Sequence, residues 1–242
     1  MRYRIGKDIV IRSENAAKPE TQSSAYLTAL ISRLEQVRSS FDFGCGKLRY
    51  QRVIAKTTNV LALIDSEVQL SRQQMIRGHL TTIRDHVRRS NDVDAYTVAQ
   101  FASLERRFDR GFCINVLPVI PFANVRLRIV QLMRAKLKPG GLCLFVVLYR
   151  NSDFTRMQRQ PNCKPCGNGF LMDSLRGYSF FGLIPPTALA RLVEQAGFVV
   201  ESISLDGGTA YLWARSPEGL SNPRLFSVRE TNENFEIRSA RH

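Results

Sequence analysis

The stretch Phe41-Asp42-Phe43-Gly44-Cys45-Gly46-Lys47-Leu48-Arg49 constrains the chain more than any other. A short apolar strand runs into an acid, then two glycines separated by one residue, then residues able to start a helix. Glycine has no Cβ, so it permits a tight turn and lets the backbone approach a ligand closely. A helix beginning there offers its unpaired N–H groups to that ligand. A second apolar run, Val60-Leu61-Ala62-Leu63-Ile64, ends in Asp65, nineteen residues beyond Gly46. In a first βαβ unit, an acid at about that distance can accept hydrogen bonds from the ribose hydroxyls of a nucleotide-like cofactor. A Gly-x-Gly alone says little; Asp42 before it and Asp65 after it sharpen the pattern.

Asp-Phe-Gly-Cys-Gly resembles motif I of the class I S-adenosylmethionine-dependent methyltransferases, usually acid-x-Gly-x-Gly-x-Gly. A dinucleotide-binding Rossmann domain is the rival, but its glycine fingerprint does not usually carry an acid two residues before the first glycine. Leu48 replaces the third glycine of the pattern. Further along, Phe108-Asp109, an apolar strand and Asn115-Val116-Leu117 are similar to the family's motif IV. An amphipathic helix follows, with Val125, Ile129, Leu132, Met133 and Leu137 on one face. Lys138-Pro139-Gly140-Gly141 reads as a helix stop and turn before the apolar strand Leu142–Leu148. Pro185-Pro186 opens another helix, stopped by Gly197. Asp206-Gly207-Gly208 then lies between two strand-like runs, a hairpin signal. This order looks like the closing strands of the methyltransferase fold. The resemblance covers roughly residues 23–215. It implies an α/β, Rossmann-like, seven-stranded and mostly parallel sheet with an antiparallel last strand and helices on both faces.

The resemblance also assigns a cofactor, S-adenosyl-L-methionine, and residues to hold it. Asp42 faces its amino-acid and sulfonium end, Gly44, Cys45 and Gly46 pass beneath it, and Asp65 takes the ribose. Gln100 and Phe101 occupy the positions beside the adenine, as an amide contact and an apolar cover, where the family's usual acid is missing. Asn115 and Val116 lie beside the methyl-donor region. Methyl transfer from a sulfonium needs little beyond alignment, and a base only where the acceptor must lose a proton. The catalytic residues therefore stay unassigned, while Tyr149, Arg150 and Tyr178 are substrate-side candidates. Leu48 and Gln100 leave open a degenerate module that binds cofactor or nucleic acid without turnover.

The charge bears on the acceptor. Thirty-five basic against twenty-one acidic residues give +14, a field that attracts polyanions. Nucleic acid is thus favoured over a small metabolite, with a merely solvated basic surface as the alternative. The segment from Glu67 to Arg89 carries Arg72, Arg77, Arg84, Arg88 and Arg89 and is expected as a polar helical stretch interrupted near Gly78. Residues 150–182 interleave arginines with aromatics and form a substrate-side insertion, which could stack bases or pack onto the domain. Amino-methylating nucleic-acid enzymes commonly show Asn/Asp-Pro-Pro-aromatic after the fourth strand, which Asn115-Val116-Leu117-Pro118 does not match. Cys166, after Pro165, is out of place for a cytosine nucleophile.

The remaining features set boundaries. Residues 1–22 read as an N-terminal arm, 23–38 as a helical lead into the first strand, and 216–242 as a C-terminal extension. The first residues lack an apolar signal-peptide core, and the longest apolar run, Pro139 to Tyr149, is too short to span a bilayer. The five cysteines read as reduced thiols, which fits a cytoplasmic protein without a membrane partner. Cys163-Lys164-Pro165-Cys166-Gly167 resembles one zinc knuckle. Structural zinc needs four ligands, no second such pair exists, and His79, His86 and His242 are scattered, so no metal is expected.

Overall fold

The structure, a computed structural model, describes residues 1–6, 8–150 and 152–218. Two short strands, β1 (Arg2–Ile5) and β2 (Ile9–Arg12), pair antiparallel ahead of helix α1 (Ala25–Ser32), where the Ser24 hydroxyl caps the helix by accepting from the Leu27 amide. Then come β3 (Val37–Phe43), α2 (Gln51–Ala55), β4 (Thr58–Asp65), α3 (Glu67–Ser71), β5 (Gln74–Ile76), β6 (His79–Thr81), α4 (Ile83–Val87) and β7 (Val93–Thr97). These are followed by α5 (Val98–Ser103), β8 (Phe108–Ile114), α6 (Ala123–Ala135), β9 (Leu137–Leu148) and α7 (Ser152–Gln158). The chain continues through β10 (Cys163–Cys166), β11 (Gly169–Met172), β12 (Ser179–Gly182), α8 (Pro186–Gln195), β13 (Val199–Asp206) and β14 (Thr209–Arg215).

The main sheet has seven strands in the order β13-β14-β9-β8-β3-β4-β7. From β9 to β7 every pairing is parallel, whereas β14 runs antiparallel to β9 and β13 antiparallel to β14. Alternate residues face two cores: Ala62 and Ile64 join one buried cluster, Leu61 and Leu63 the other. Burial on both faces is why these strands read as continuous apolar runs in the sequence. After β3 the chain moves outward to β4 and β7, then returns to place β8 and β9 on the other side of β3. The strand order therefore reverses between β3 and β8. A crevice opens at such a switch point, beyond the carboxyl ends of the strands.

Four expectations change in detail. The polar stretch 67–89 is two five-residue helices separated by the β5–β6 hairpin, whose turn places Arg77 and Gly78 at φ +51° and +83°. Lys138 to Gly141 do not end a helix and start a fresh strand; they form an irregularity inside β9, across which Phe108 pairs with Leu137 and Arg110 with Leu142. The insertion folds into α7 and the antiparallel meander β10-β11-β12, whose four-residue strands are too short to show alternation. The N-terminal residues join the domain, with Tyr3 and Ile11 buried in one of its cores. Of the C-terminal extension, residues from 219 on, including His242, lie outside the described residues. No helix among the described residues is long and apolar enough to cross a membrane.

Candidate active site

A cavity of about 300 Å³ sits at the switch point. Its floor is built from three neighbouring strand ends: Asp42 near the end of β3 with Gly44, Cys45 and Gly46 in the turn after it, Asp65 at the end of β4, and Ile114 at the end of β8 with Asn115 and Val116 following. Seven of the nine sequence-assigned cofactor residues are thus brought together. The roof comes partly from the expected substrate-side insertion and partly from the N-terminal residues, which the sequence did not mark. Tyr3, Glu14 and Ala17 approach from the N-terminal hairpin and the turn after it, and Phe154, Met157 and Phe181 from the insertion. A hydrogen bond from the Arg12 amide to the Tyr178 carbonyl at 2.8 Å joins these two roof pieces.

The glycine turn is held from below and crowded from above. The amides of Gly44 and Cys45 both donate to the Ile64 carbonyl, at 2.7 and 3.2 Å. A Cβ on Gly44 would lie 2.2 Å from Val116 Cγ2, and the residue has φ +76°, so only glycine lets the β3 turn pass beneath the end of β8. Two other residues here adopt the left-handed conformation without being glycine: Leu48 at φ +60° and Asn115 at φ +58°. Asparagine tolerates this region because its short polar side chain can bond locally. Leucine does not, and Leu48 is held there by burial, at 1% exposure.

The floor is acidic and under-satisfied. Asp65 is fully engaged by its neighbours: Oδ2 accepts from the Gly46 amide at 3.0 Å, and Oδ1 from the Ser66 amide at 2.8 Å. Asp42 is 4% exposed, and among the described residues no donor reaches its carboxylate. Burial, reinforced by the nearby Asp65 charge, pushes its pKa up to about 7. Gln69, wholly buried, donates from Nε2 to the Gly46 carbonyl at 2.5 Å and leaves Oε1 without a partner, and Asn115 Oδ1 is likewise buried and unpaired. Two acids and two orphan acceptors converge on one small space. Such a set suits a ligand carrying positive charge and N–H or O–H donors.

The other assigned residues lie elsewhere. Gln100 forms a capping box with Thr97: its side chain accepts from the Thr97 amide at 2.8 Å while its own amide donates to Thr97 Oγ1 at 3.1 Å. Phe101 is fully buried against Phe41, Phe43 and Phe108, with ring centroids 5.1 to 6.2 Å apart. Tyr149 packs at the edge of a core, and the Arg150 amide donates to the Gly208 carbonyl at 3.1 Å. Tyr178 contributes its backbone to the roof seam. Asp109 sits at the opposite end of the sheet, accepting from the Ser39 amide and hydroxyl, each at 2.9 Å, and from Lys138 Nζ at 2.5 Å. Cys163 and Cys166 are three residues apart on β10, so their side chains point to opposite faces with backbones about 10 Å apart. Two sulfurs on one zinc must lie within about 4 Å of each other.

Gln69 and the N-terminal roof residues Tyr3, Glu14 and Ala17 were missed by sequence reasoning. Gln69 carries no motif, and its role follows only from α3 packing under the glycine turn. The N-terminal hairpin had one visible trace, the apolar patch Ile9-Val10-Ile11.

No known protein-family profile matches the chain. The uncharacterized protein YmfD of Escherichia coli (strain K12) is 33% identical over 205 residues, which span 84% of this chain and 90% of that protein. The chain belongs to the family of YmfD. Among solved structures, it matches DhpI in its complex with SAM and HEP at a TM-score of 0.58 and 16% identity, over 84% of this chain and 90% of that one. It also matches an O-methyltransferase family protein from Burkholderia thailandensis at a TM-score of 0.56 and 15% identity. That match covers 81% of this chain but only 56% of the longer protein. The fold of this YmfD relative is therefore that of the class I S-adenosylmethionine-dependent methyltransferases, as motifs I and IV implied.

Proposed function

We propose that this protein is an S-adenosylmethionine-dependent methyltransferase acting on a small-molecule acceptor. The observation that carries the reading is the pair Asp42 and Asp65 at the ends of adjacent parallel strands, beneath a glycine turn and facing one cavity. A pyrophosphate-bearing dinucleotide would meet two buried carboxylates there and be repelled. A donor with a sulfonium, an ammonium and ribose hydroxyls brings the charge and the hydrogen-bond donors the floor lacks. S-adenosylmethionine supplies an already activated methyl group. The DhpI complex with SAM supports the same assignment through its fold.

In this reading Asp42 holds the cationic amino-acid end and Asp65 the ribose, while keeping its bond to Gly46. The Gly44–Gly46 backbone gives the donor room to lie flat, and Asn115 orients it through its unpaired oxygen. The apolar roof of Phe154, Met157 and Phe181 excludes water and aligns the acceptor, the main contribution such a reaction asks of the protein.

A small acceptor is preferred to nucleic acid because three arginines of the 67–89 stretch already pair with acids of the protein. Arg77 bonds Glu20 at 2.9 Å, Arg84 bonds Glu67 at 2.5 Å, and Arg88 bonds Asp85 at 3.1 Å. Calorimetric titration with S-adenosylmethionine, S-adenosylhomocysteine and NAD tests the donor assignment: the first two bind and NAD does not. Binding of NAD alone would sink it. Salt-dependent binding of DNA or RNA, with methyl incorporation into it, would reverse the choice of acceptor.

A further inference from the structure

The floor of the cavity is acidic, but its rim beside the N-terminal turn is the opposite. Lys47 follows the glycine turn and lines the cavity. Arg72, just after α3, donates from Nη2 to the Glu14 backbone carbonyl at 3.0 Å, which brings its guanidinium to the same turn. Arg176, in the loop before β12, arrives from a third direction. Its carbonyl accepts from Asn15 Nδ2 at 3.0 Å and from Arg12 Nη1 at 3.3 Å. Lys47 and the Arg72 guanidinium thus border the turn at residues 13–16, which Arg12 and Arg176 approach from their own segments. The one carboxylate of that turn, Glu14, is already held by Arg2 at 3.1 Å and the Met1 ammonium at 3.9 Å.

Their partners are incomplete. Among the described residues, neither Lys47 nor Arg176 forms an ion pair, whereas Arg77, Arg84 and Arg88 each have an acid beside them. Arg72 Nε is buried without a partner. The Lys47 ammonium is held below its usual pKa by burial and then by the charges of Arg72 and Arg176. Like charges gathered at a cavity mouth raise the free energy of the empty site. An oxyanion accepting from a lysine and two arginines removes that cost and satisfies the free donors.

We infer that the acceptor is a small acid whose carboxylate or phosphate group is seated by Lys47, Arg72 and Arg176 at the mouth of the cavity. This rests on the methyltransferase reading, and it makes the site bipolar: cation-binding at the floor, anion-binding at the rim.

Inorganic phosphate is the probe. It is titrated into protein saturated with S-adenosylhomocysteine, for the wild type and for Arg176→Gln, Lys47→Gln and the remote surface control Arg191→Gln. Phosphate is expected to bind beside S-adenosylhomocysteine, and each of the first two changes to weaken it by about tenfold, the effect of losing one charge-assisted hydrogen bond. Arg176→Gln, at an exposed position, leaves S-adenosylhomocysteine affinity within about twofold. An equal loss with Arg191→Gln would reduce the effect to diffuse attraction by a basic protein and overturn the inference. So would competition between phosphate and S-adenosylhomocysteine. A third contrary result is a variant that weakens S-adenosylhomocysteine but not 5′-methylthioadenosine, which lacks the amino-acid carboxylate. That result would assign the cations to the donor. Failure of S-adenosylhomocysteine to bind, with phosphate still dependent on Lys47 and Arg176, would leave an anion site but remove the methyl-transfer reading and the acceptor assignment with it.

Discussion

The Gly46 amide donates to Asp65 Oδ2 at 3.0 Å, so the acid that ends β4 is tied to the turn that leaves β3. Asp65 consequently has two duties, bracing the glycine turn and facing the cavity. Asp65→Ala removes both. It should weaken S-adenosylhomocysteine binding by about 1–3 kcal/mol, the cost of a lost hydrogen-bonding partner in a buried site. The melting temperature should fall with it. Calorimetry and thermal denaturation read the two effects separately, and unchanged affinity would count heavily against the ribose assignment.

Asp42 gives a pH dependence whose sign can be worked out. Its folded pKa of about 7 lies above the ordinary 3.8, so the folded state favours the protonated acid. The associated stability is fully present below the ordinary value. It is lost as pH rises through about 7, because the unfolded chain has already released a proton that the folded chain still holds. Stability of the free protein should therefore decline between pH ~4 and ~7, and Asp42→Asn should flatten the decline. A cationic donor needs the ionised form, so S-adenosylmethionine affinity should rise over the same interval in the wild type alone. A melting series and a binding series in matched buffers check both.

Gly44 and Val116 form a steric pair. Gly44→Ala places a methyl 2.2 Å from Val116 Cγ2 at a residue with φ +76°, and should cost both stability and donor binding. Val116→Ala deletes the two methyls that Gly44→Ala strikes but leaves the Val116 Cβ position at 3.3 Å and the backbone strain untouched. The double variant should recover part of the loss, a coupling that a double-mutant cycle measures directly.

Leu48 stands where the family pattern has glycine. Leu48→Gly removes left-handed strain worth about 1–2 kcal/mol but empties a core position, which costs about 2–5 kcal/mol for a buried leucine. The expected result is a net destabilisation with little change in donor affinity. A gain in stability would show that the leucine is retained for something other than packing.

The double substitution Cys163→Ser, Cys166→Ser should leave folding and donor binding nearly intact, since the two side chains leave β10 from opposite faces. Metal analysis of the purified protein should find no zinc released by it.

The readable parts of this chain were those where the local pattern and the tertiary role coincide. Asp42, Gly44, Gly46 and Asp65 announce themselves because strand ends, a tight turn and an acid at fixed spacing are all local. The hairpin at Gly207-Gly208 is legible for the same reason: both residues have positive φ, at +51° and +79°. Gln100 and Phe101 were assigned by position after β7, but Gln100 is used to cap α5 and Phe101 is drawn into the Phe41–Phe108 cluster. Nothing in the local sequence separates an amide that caps a helix from one that faces a ligand. The insertion was expected on the substrate side, but its union with the N-terminal residues was illegible, because the two lie over a hundred residues apart and no periodicity encodes their meeting. Net charge left the acceptor open for a related reason, since +14 does not say where on the surface the cations without acidic partners gather.

The seam between the two roof pieces couples parts of the chain that are remote in sequence. Ile11 bridges to Tyr178, and the amide after it bonds the Tyr178 carbonyl, so the N-terminal hairpin and the insertion meander are stitched edge to edge. A substitution that loosens either piece is therefore expected to disturb the cavity wall on both sides at once.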